Sequence, residues 1–308
     1  MIFKFDDSIK NVSGQVAKAT AELIKSISIN SHNISCENSV WKWIEDNLLK
    51  NTTYTSRWDY DIISKNLELR DISLEKQKYL SEVIVGTNHD MLTPQEALVL
   101  VNKPSLVIVE NETNDWPVIR KWIDLFKNEK KYKTINTIVC KRKDNKYLKA
   151  YNAGSCGQII NTIDQRIKEY GRGTKYKITT VLDSDKTNPT DAFSNEKLKI
   201  MDHLSDKNIE GHILFKREME NYFPIKVYEK AKKIKGNKDI PKFTEEEWDY
   251  VDVENTDFIK YKKKDLPELT EYLEKNDLYE RINTQNINYM YENMNEIQMI
   301  ILKLAKLS

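Results

Sequence analysis

Apolar positions recur at helical spacing through much of the first hundred residues. In "SGQVAKATAELIKSI" Val16, Ala19, Leu23, Ile24 and Ile27 share one face, which predicts a helix. "SVWKWIEDNLLK" repeats the pattern with Trp41, Ile44, Leu48 and Leu49. "SLEKQKYLSEVIVG" predicts a third helix stopped by Gly86. Between them, "TTYTSRWDYDIISKN" fits no single period. Residues 1–103 carry no catalytic motif and are expected to be a mostly helical scaffold or partner-binding surface.

The pattern changes after Pro104. "SLVIVE" is a continuous apolar, β-branched run, as in a strand buried on both faces. "DWPVIRKWIDLFKN" predicts a helix with Pro117 in its first turn and Trp116, Ile119, Ile123 and Phe126 on its apolar face. "TINTIVCKR" predicts a second strand leading into the turn-rich "KDNK". The glycines of "NAGSCGQIINTIDQRIKEYG" open a helix bearing Ile159, Ile160, Ile163 and Ile167. "KITTVLD" predicts a third strand, "NEKLKIMDHL" a short helix and "GHILFKR" a fourth strand running into "EMENYFP". Strands alternating with helices at this spacing imply an α/β fold: a parallel sheet with right-handed crossovers, flanked by helices.

From residue 227 to 308 the chain is lysine-rich and expected to be mainly helical, with a polar loop around "GNKDIPKFTEEEWDY". Its final helix, "NEIQMIILKLAKLS", is amphipathic, and Ile297, Ile300 and Leu304 predict docking onto the protein or a partner. The expected division is therefore 1–103, 104–226 and 227–308.

Composition narrows the function only a little. A chain of 308 residues can bury a sizeable core, and a net charge of +1 gives no global argument for nucleic acid or membrane. No apolar run approaches the about 20 residues that cross a bilayer. The N-terminal "MIFKFDDSIKN" does not look like a signal peptide. Cys36, Cys140 and Cys156 form no CxxC pair, and the four histidines show no zinc-ligand spacing. Together these predict a cytoplasmic protein without membrane contact.

Candidate chemistry gathers at the predicted strand ends, where open parallel sheets bind their ligands. Glu110, the Gly154/Gly157 loop, Asp183 with Asp185, and Glu218 with Glu220 all fall there. Each alone is explained by a solvated turn or a helix cap. Their convergence points to a hard divalent cation, Mg2+ or Mn2+, because clustered carboxylates repel one another unless one is held between them. In extended backbone, Asp183 and Asp185 would point to the same face, whereas a turn beginning at Asp183 would change that geometry, and the spacing alone does not choose between the two.

"SLVIVENETND", "NAGSCG", "TTVLDSD" and "ILFKREMENYFP" together resemble a TOPRIM domain, the fold shared by topoisomerases, bacterial primases and OLD-family nucleases. The segment with Arg217, Glu220, Asn221 and Tyr222 is most similar to OLD-like proteins of phage-defence systems. The resemblance implies that Glu110, Asp183, Asp185 and Glu220 are catalytic metal ligands, with Asp115 as a further ligand. Glu218 reads as their neighbour at a helix start, and Lys186 as a side chain able to steady a phosphate. Two features depart from the family pattern: Asn111 stands where glycine is commoner, and Asp115 falls one place late.

The implied activity is Mg2+- or Mn2+-dependent endonucleolytic cleavage of DNA or tRNA, as an effector of anti-phage defence. No GxxxxGK[ST] is present, so a controlling ATPase is expected to act in trans. Homo-oligomerisation is compatible with the helical ends. "CKRKDNKYLK" and "YKKKDL" could track a phosphate backbone, although solvated lysine faces in a lysine-rich chain are the favoured reading. The alternative from another class is a non-catalytic TOPRIM-fold binding or sensing module.

Overall fold

A computed structural model describes residues 1–30, 32–68, 77–235, 241–282 and 286–307. Two compact units are interleaved along the chain. One comprises Met1–Ser105, Asp164–Ile178 and the residues from Ala305 on; the other comprises Leu106–Ile163 and Thr179–Leu304.

The first unit is built on β1 (Ile2–Phe5), α1 (Gly14–Ile29), β2 (Asn33–Ser35), α2 (Asn38–Ile44), α3 (Arg57–Glu68), β3 (Glu82–Val85) and α4 (Pro94–Asn102). β1 lies between β2 and β3 in a parallel three-stranded sheet. Phe3, Phe5, Val83 and Val85 pack in one core with Leu23, Ile24 and Ile27 of α1. The first two predicted helices are present as α1 and α2, and the ambiguous segment contains α3. The predicted third helix is corrected. Residues 73–76 of it lie outside the described residues, and Glu82–Val85 is a strand. Its burial alternates, with Val83 and Val85 inside and Ile84 exposed. That is the two-residue period of a strand, and pairing with β1 selects it over the helix.

Most of the second sheet lies in the other unit. Its elements are β4 (Ser105–Val109), α5 (Glu112–Phe126), α6 (Lys133–Asp144), β5 (Leu148–Asn152), α7 (Ile159–Tyr170), β6 (Ile178–Leu182), α8 (Asn195–Asp206) and β7 (Gly211–Ile213). The strand order is β5-β4-β6-β7, and β6 pairs with β7 in parallel. Every residue of β4 and β6 is buried, as expected of central strands, whereas the edge strand β5 alternates. The α/β class is therefore as predicted.

Two elements differ from expectation. The segment "TINTIVCKR" is not the second strand but the body of α6, and the strand is "LKAYN". Burial at Ile135, Asn136, Val139, Cys140 and Lys143 follows a helical stripe. The β-branched content that suggested a strand is overridden by packing. α5 begins at Glu112 instead of Asp115, because Asn111 caps it by accepting the N–H groups of Thr113 and Asn114 at 3.0 and 3.2 Å. Pro117 consequently lies beyond the first turn.

The remaining chain adds α9 (Ile225–Lys230), α10 (Glu245–Trp248), α11 (Leu266–Tyr272), α12 (Lys275–Ile282), the antiparallel hairpin β8 (Ile287–Tyr289) and β9 (Glu292–Met294), and α13 (Glu296–Lys306). The hairpin interrupts the predicted helical region. Met290 and Tyr291 at its tip both have positive φ, 53° and 64°, the two-residue turn usually signalled by Asn-Gly. On α13, Ile297, Ile300 and Leu304 are buried as their spacing predicts. Among the described residues, no helix is long and apolar enough to cross a membrane.

Candidate metal centre

The strand order turns back on itself between β4 and β6. The chain leaves β4 for β5 on one side and later returns to β6 on the other. Such a switch point opens a crevice beyond the carboxyl ends of the two strands. Glu110 follows β4 directly and Asp183 follows β6 directly.

Local structure aims the carboxylates. Asn111 has φ −139°, ordinary extended backbone that any residue adopts, so no glycine is needed at this position. Capping by Asn111 places Asp115 on the opening turns of α5, where its Oδ2 accepts the Asn111 N–H at 2.9 Å. Past β6 the strand geometry ends. Ser184 and Asp185 both donate their N–H groups to the Arg217 carbonyl, at 2.9 and 3.0 Å. Asp185 takes a left-handed conformation, φ +55°, which aspartate tolerates better than most residues. Of the two geometries that the Asp-x-Asp spacing left open, extended strand or turn, the chain takes the turn. The turn still gathers the acids: ligand oxygens of Asp183, Asp185 and Glu218 lie within 4.8 Å of one another.

Two lysines enter this cluster. Lys197, on the first turn of α8, is 1% exposed. Its Nζ lies 2.6 Å from Asp185 Oδ2 and 3.6 Å from Glu110 Oε1, and it donates to the Asp183 carbonyl. Lys263, from a short turn before α11, donates to Asp183 Oδ2 at 2.9 Å. Asp183 Oδ1 accepts the Met219 N–H at 3.2 Å. Glu220, 1% exposed, accepts the Tyr261 hydroxyl on Oε1 at 2.9 Å. Its Oε2, like Glu110 Oε1, is buried with no hydrogen-bond partner among the described residues.

The electrostatics follow from this crowding. Burial, with the neighbouring Glu220 charge, pushes Glu218 up to about 8. Burial and Asp183 push Glu220 and Asp115 each up to about 7. Glu110 is also raised by burial, against the pull of Lys197. For Lys263, burial disfavours the charge, but Asp183, Glu220 and Glu218 outweigh it and hold the lysine well above its usual range. Carboxylates so destabilised in their charged form, two with buried oxygens that accept no hydrogen bond from the described residues, suit a hard divalent cation with oxygen ligands.

All five predicted ligands, Glu110, Asp115, Asp183, Asp185 and Glu220, belong to this one electrostatic cluster. Within it, Glu218 converges with the two aspartates, while Glu220 lies buried against Tyr261. The companions of Glu220 in its motif hold the segment in place. Arg217 pairs with Asp252 at 2.9 Å, Asn221 Nδ2 donates to the carbonyls of Trp248 and Val251, and Tyr222 donates to Glu296. Lys186 is stacked over the Phe193 ring, 4.4 Å from its centre.

Sequence reasoning missed Lys197, Lys263 and Tyr261 as parts of the centre. Lys197 had a signal, since it shares the inward spacing of Ile200 and Leu204 on α8. The two basic patches are not simple solvated faces. Arg142 and Lys143 of the first are buried, and Tyr261 and Lys263 of the second enter the centre. A second acidic group, Asp124, Cys140 and Asp144, also has metal-like spacing, but the Lys143 ammonium already contacts both aspartates. Comparison with protein-family profiles, curated proteins and solved structures finds no match to this chain.

Proposed function

We propose that the chain is a TOPRIM-like nuclease that cleaves phosphodiester bonds with Mg2+ or Mn2+. The carrying observation is the convergence of Asp183, Asp185 and Glu218 at the switch point, beside Glu220 Oε2, which is buried with no hydrogen-bond partner among the described residues. Asp183, Asp185 and Glu218 would hold the cation, with Glu110, Glu220 and Asp115 completing the negative field. When bound, such an ion supplies Lewis-acid stabilisation of phosphate charge and activation of water. The chain's own residues do the rest. Tyr261 fixes the orientation of Glu220, Met219 N–H fixes Asp183, and Lys263, with its side chain 35% exposed, can offer a donor to a phosphate oxygen. The OLD-like motif residues support an effector role in anti-phage defence under an ATPase acting in trans.

One observation favours a second reading, a TOPRIM-fold binding module. Lys197 and Lys263 already offset part of the negative charge, so the fold does not depend wholly on a metal. One assay separates the two. The purified chain is incubated with Mn2+, plasmid DNA and bulk tRNA, beside Asp183→Asn and a chelator control. Cleavage abolished in both controls supports the nuclease and names its substrate pool. A chain that binds Mn2+ but degrades neither pool, with or without an ATPase partner, leaves the binding module.

A further inference from the structure

Two-metal nuclease sites place two ions about 4 Å apart. In this centre a cation already lies between the carboxylates that follow β4 and β6. Lys197 Nζ lies 2.6 Å from Asp185 Oδ2 and 3.6 Å from Glu110 Oε1, and it donates to the Asp183 carbonyl. A positive charge therefore joins the end of β4 to the end of β6, and a second ion would have to compete with it for the same carboxylates.

The two lysines of the centre are not equivalent. Lys197 sits on the first turn of α8, its N–H donating to Ser194 Oγ at 3.3 Å, and its side chain is only 2% exposed. Expelling it would strip the Asp183 carbonyl of a donor and strand an ammonium in the interior, which is strongly unfavourable. Lys263 is held by one carboxylate at 2.9 Å with its side chain 35% exposed, so it can swing into water. One cation is built in and the other is displaceable.

We infer that Lys197 permanently holds the place of a second divalent ion, so that the centre takes a single Mg2+ or Mn2+ on Asp183, Asp185 and Glu218. The inference rests on the metal-dependent function proposed above and adds the number of ions and the residue that sets it. Lys197 is a positioning residue: it orients Asp185 and Glu110 and blocks the neighbouring subsite.

The test is equilibrium dialysis of the full chain against Mn2+, with free ion counted by electron paramagnetic resonance. The wild-type chain should bind about one Mn2+. Lys197→Met should bind about two, while Lys197→Arg, which keeps the charge, stays at about one. Lys263→Met removes the same charge from the same centre and should stay at about one with tighter binding. Two ions on the wild-type chain, or one on a folded Lys197→Met chain, would overturn the inference. No ion on the wild-type chain would instead overturn the metal reading itself. If Lys197→Met does not fold, Lys197→Gln takes its place under the same expectation, and two ions on the wild-type chain still overturn the inference.

Discussion

The ammonium of Lys263 lies 2.9 Å from Asp183 Oδ2, although the two residues are 80 positions apart. This pair ties the lysine-rich part of the chain to the end of β6 and supplies a counter-charge where acids crowd. Asp183, Glu220 and Glu218 all act on the same ammonium. The centre is therefore partly charge-compensated by the chain's own residues, and under the metal-dependent function proposed above Lys263 is the group that would yield to a cation.

Removing that ammonium should destabilise the metal-free protein and sharpen its response to metal. Lys263→Met leaves Asp183 and its acidic neighbours less compensated. The expected loss is about 1–3 kcal/mol, below the cost of breaking a fully buried pair because the lysine is partly solvated. Denaturant titration with chelator should show this loss, and added Mn2+ should restore more stability to the variant than to the wild type. Equal stability of the two proteins in chelator would show that the ion pair contributes nothing.

The raised carboxylates set the direction of a pH effect. Glu218 titrates near 8, and Glu220 and Asp115 near 7, against ordinary values of 4.5 and 3.8. Groups raised in the folded state contribute stability that is fully present below their unfolded values and lost as pH rises through the folded ones. The contribution of this set should therefore fall between about pH 4 and pH 8 in the metal-free protein. Melting in chelator at pH 5.5, 7 and 8.5 should show a steeper decline than Glu218→Gln shows. Mn2+ should flatten the wild-type profile, since binding to the folded state alone adds stability.

What could be read from the sequence follows the range of the forces involved. β4 and β6 are continuous apolar runs, Glu110, Asp183 and Asp185 stand where those runs end, and Glu218 and Glu220 follow the next predicted strand, so local pattern located most of the centre's carboxylates. β3 and α6 were misassigned because short segments rich in valine, isoleucine and threonine suit either period, and only their packing partners choose between them. Lys263 and Tyr261 reach the centre from about 80 and about 40 residues away, and no spacing rule connects such groups. The Met290-Tyr291 turn was hidden because neither residue advertises positive φ.

Glu296, at the start of α13, is fully buried and gathers three groups from the β7 end of the sheet. His212 Nε2 lies 2.6 Å from its Oε1, the Phe215 N–H donates to the same oxygen at 2.8 Å, and the Tyr222 hydroxyl donates to Oε2. Glu296→Ala orphans several buried donors at once and should cost about 3 kcal/mol or more. Tyr222→Phe removes a single donor and should cost about 1–2 kcal/mol. Urea unfolding of both variants checks the order, and an equal loss would mean that the Tyr222 bond carries the whole effect.

In the other unit, Arg172 forks onto Glu96, with Nε on Oε1 at 3.0 Å and Nη2 on Oε2. The same carboxylate receives the Thr93 N–H at 2.8 Å and so closes the capping box of α4. The guanidinium, helped by the Thr93 donors, holds Glu96 down to about 2 from 4.5. A depressed carboxylate contributes stability that is present above its unfolded value and lost as pH falls through the folded one. Both side chains are more than two fifths exposed, so screening limits the effect of Arg172→Ala to about 0.5–1 kcal/mol at pH 7. The difference between wild type and variant should shrink as pH falls from about 4.5 through about 2, where wild-type Glu96 is half protonated. Salt should shrink it as well, since an exposed pair is screened. A gap that stays constant across pH and salt would assign the loss to packing of the Arg172 stem instead of its charge.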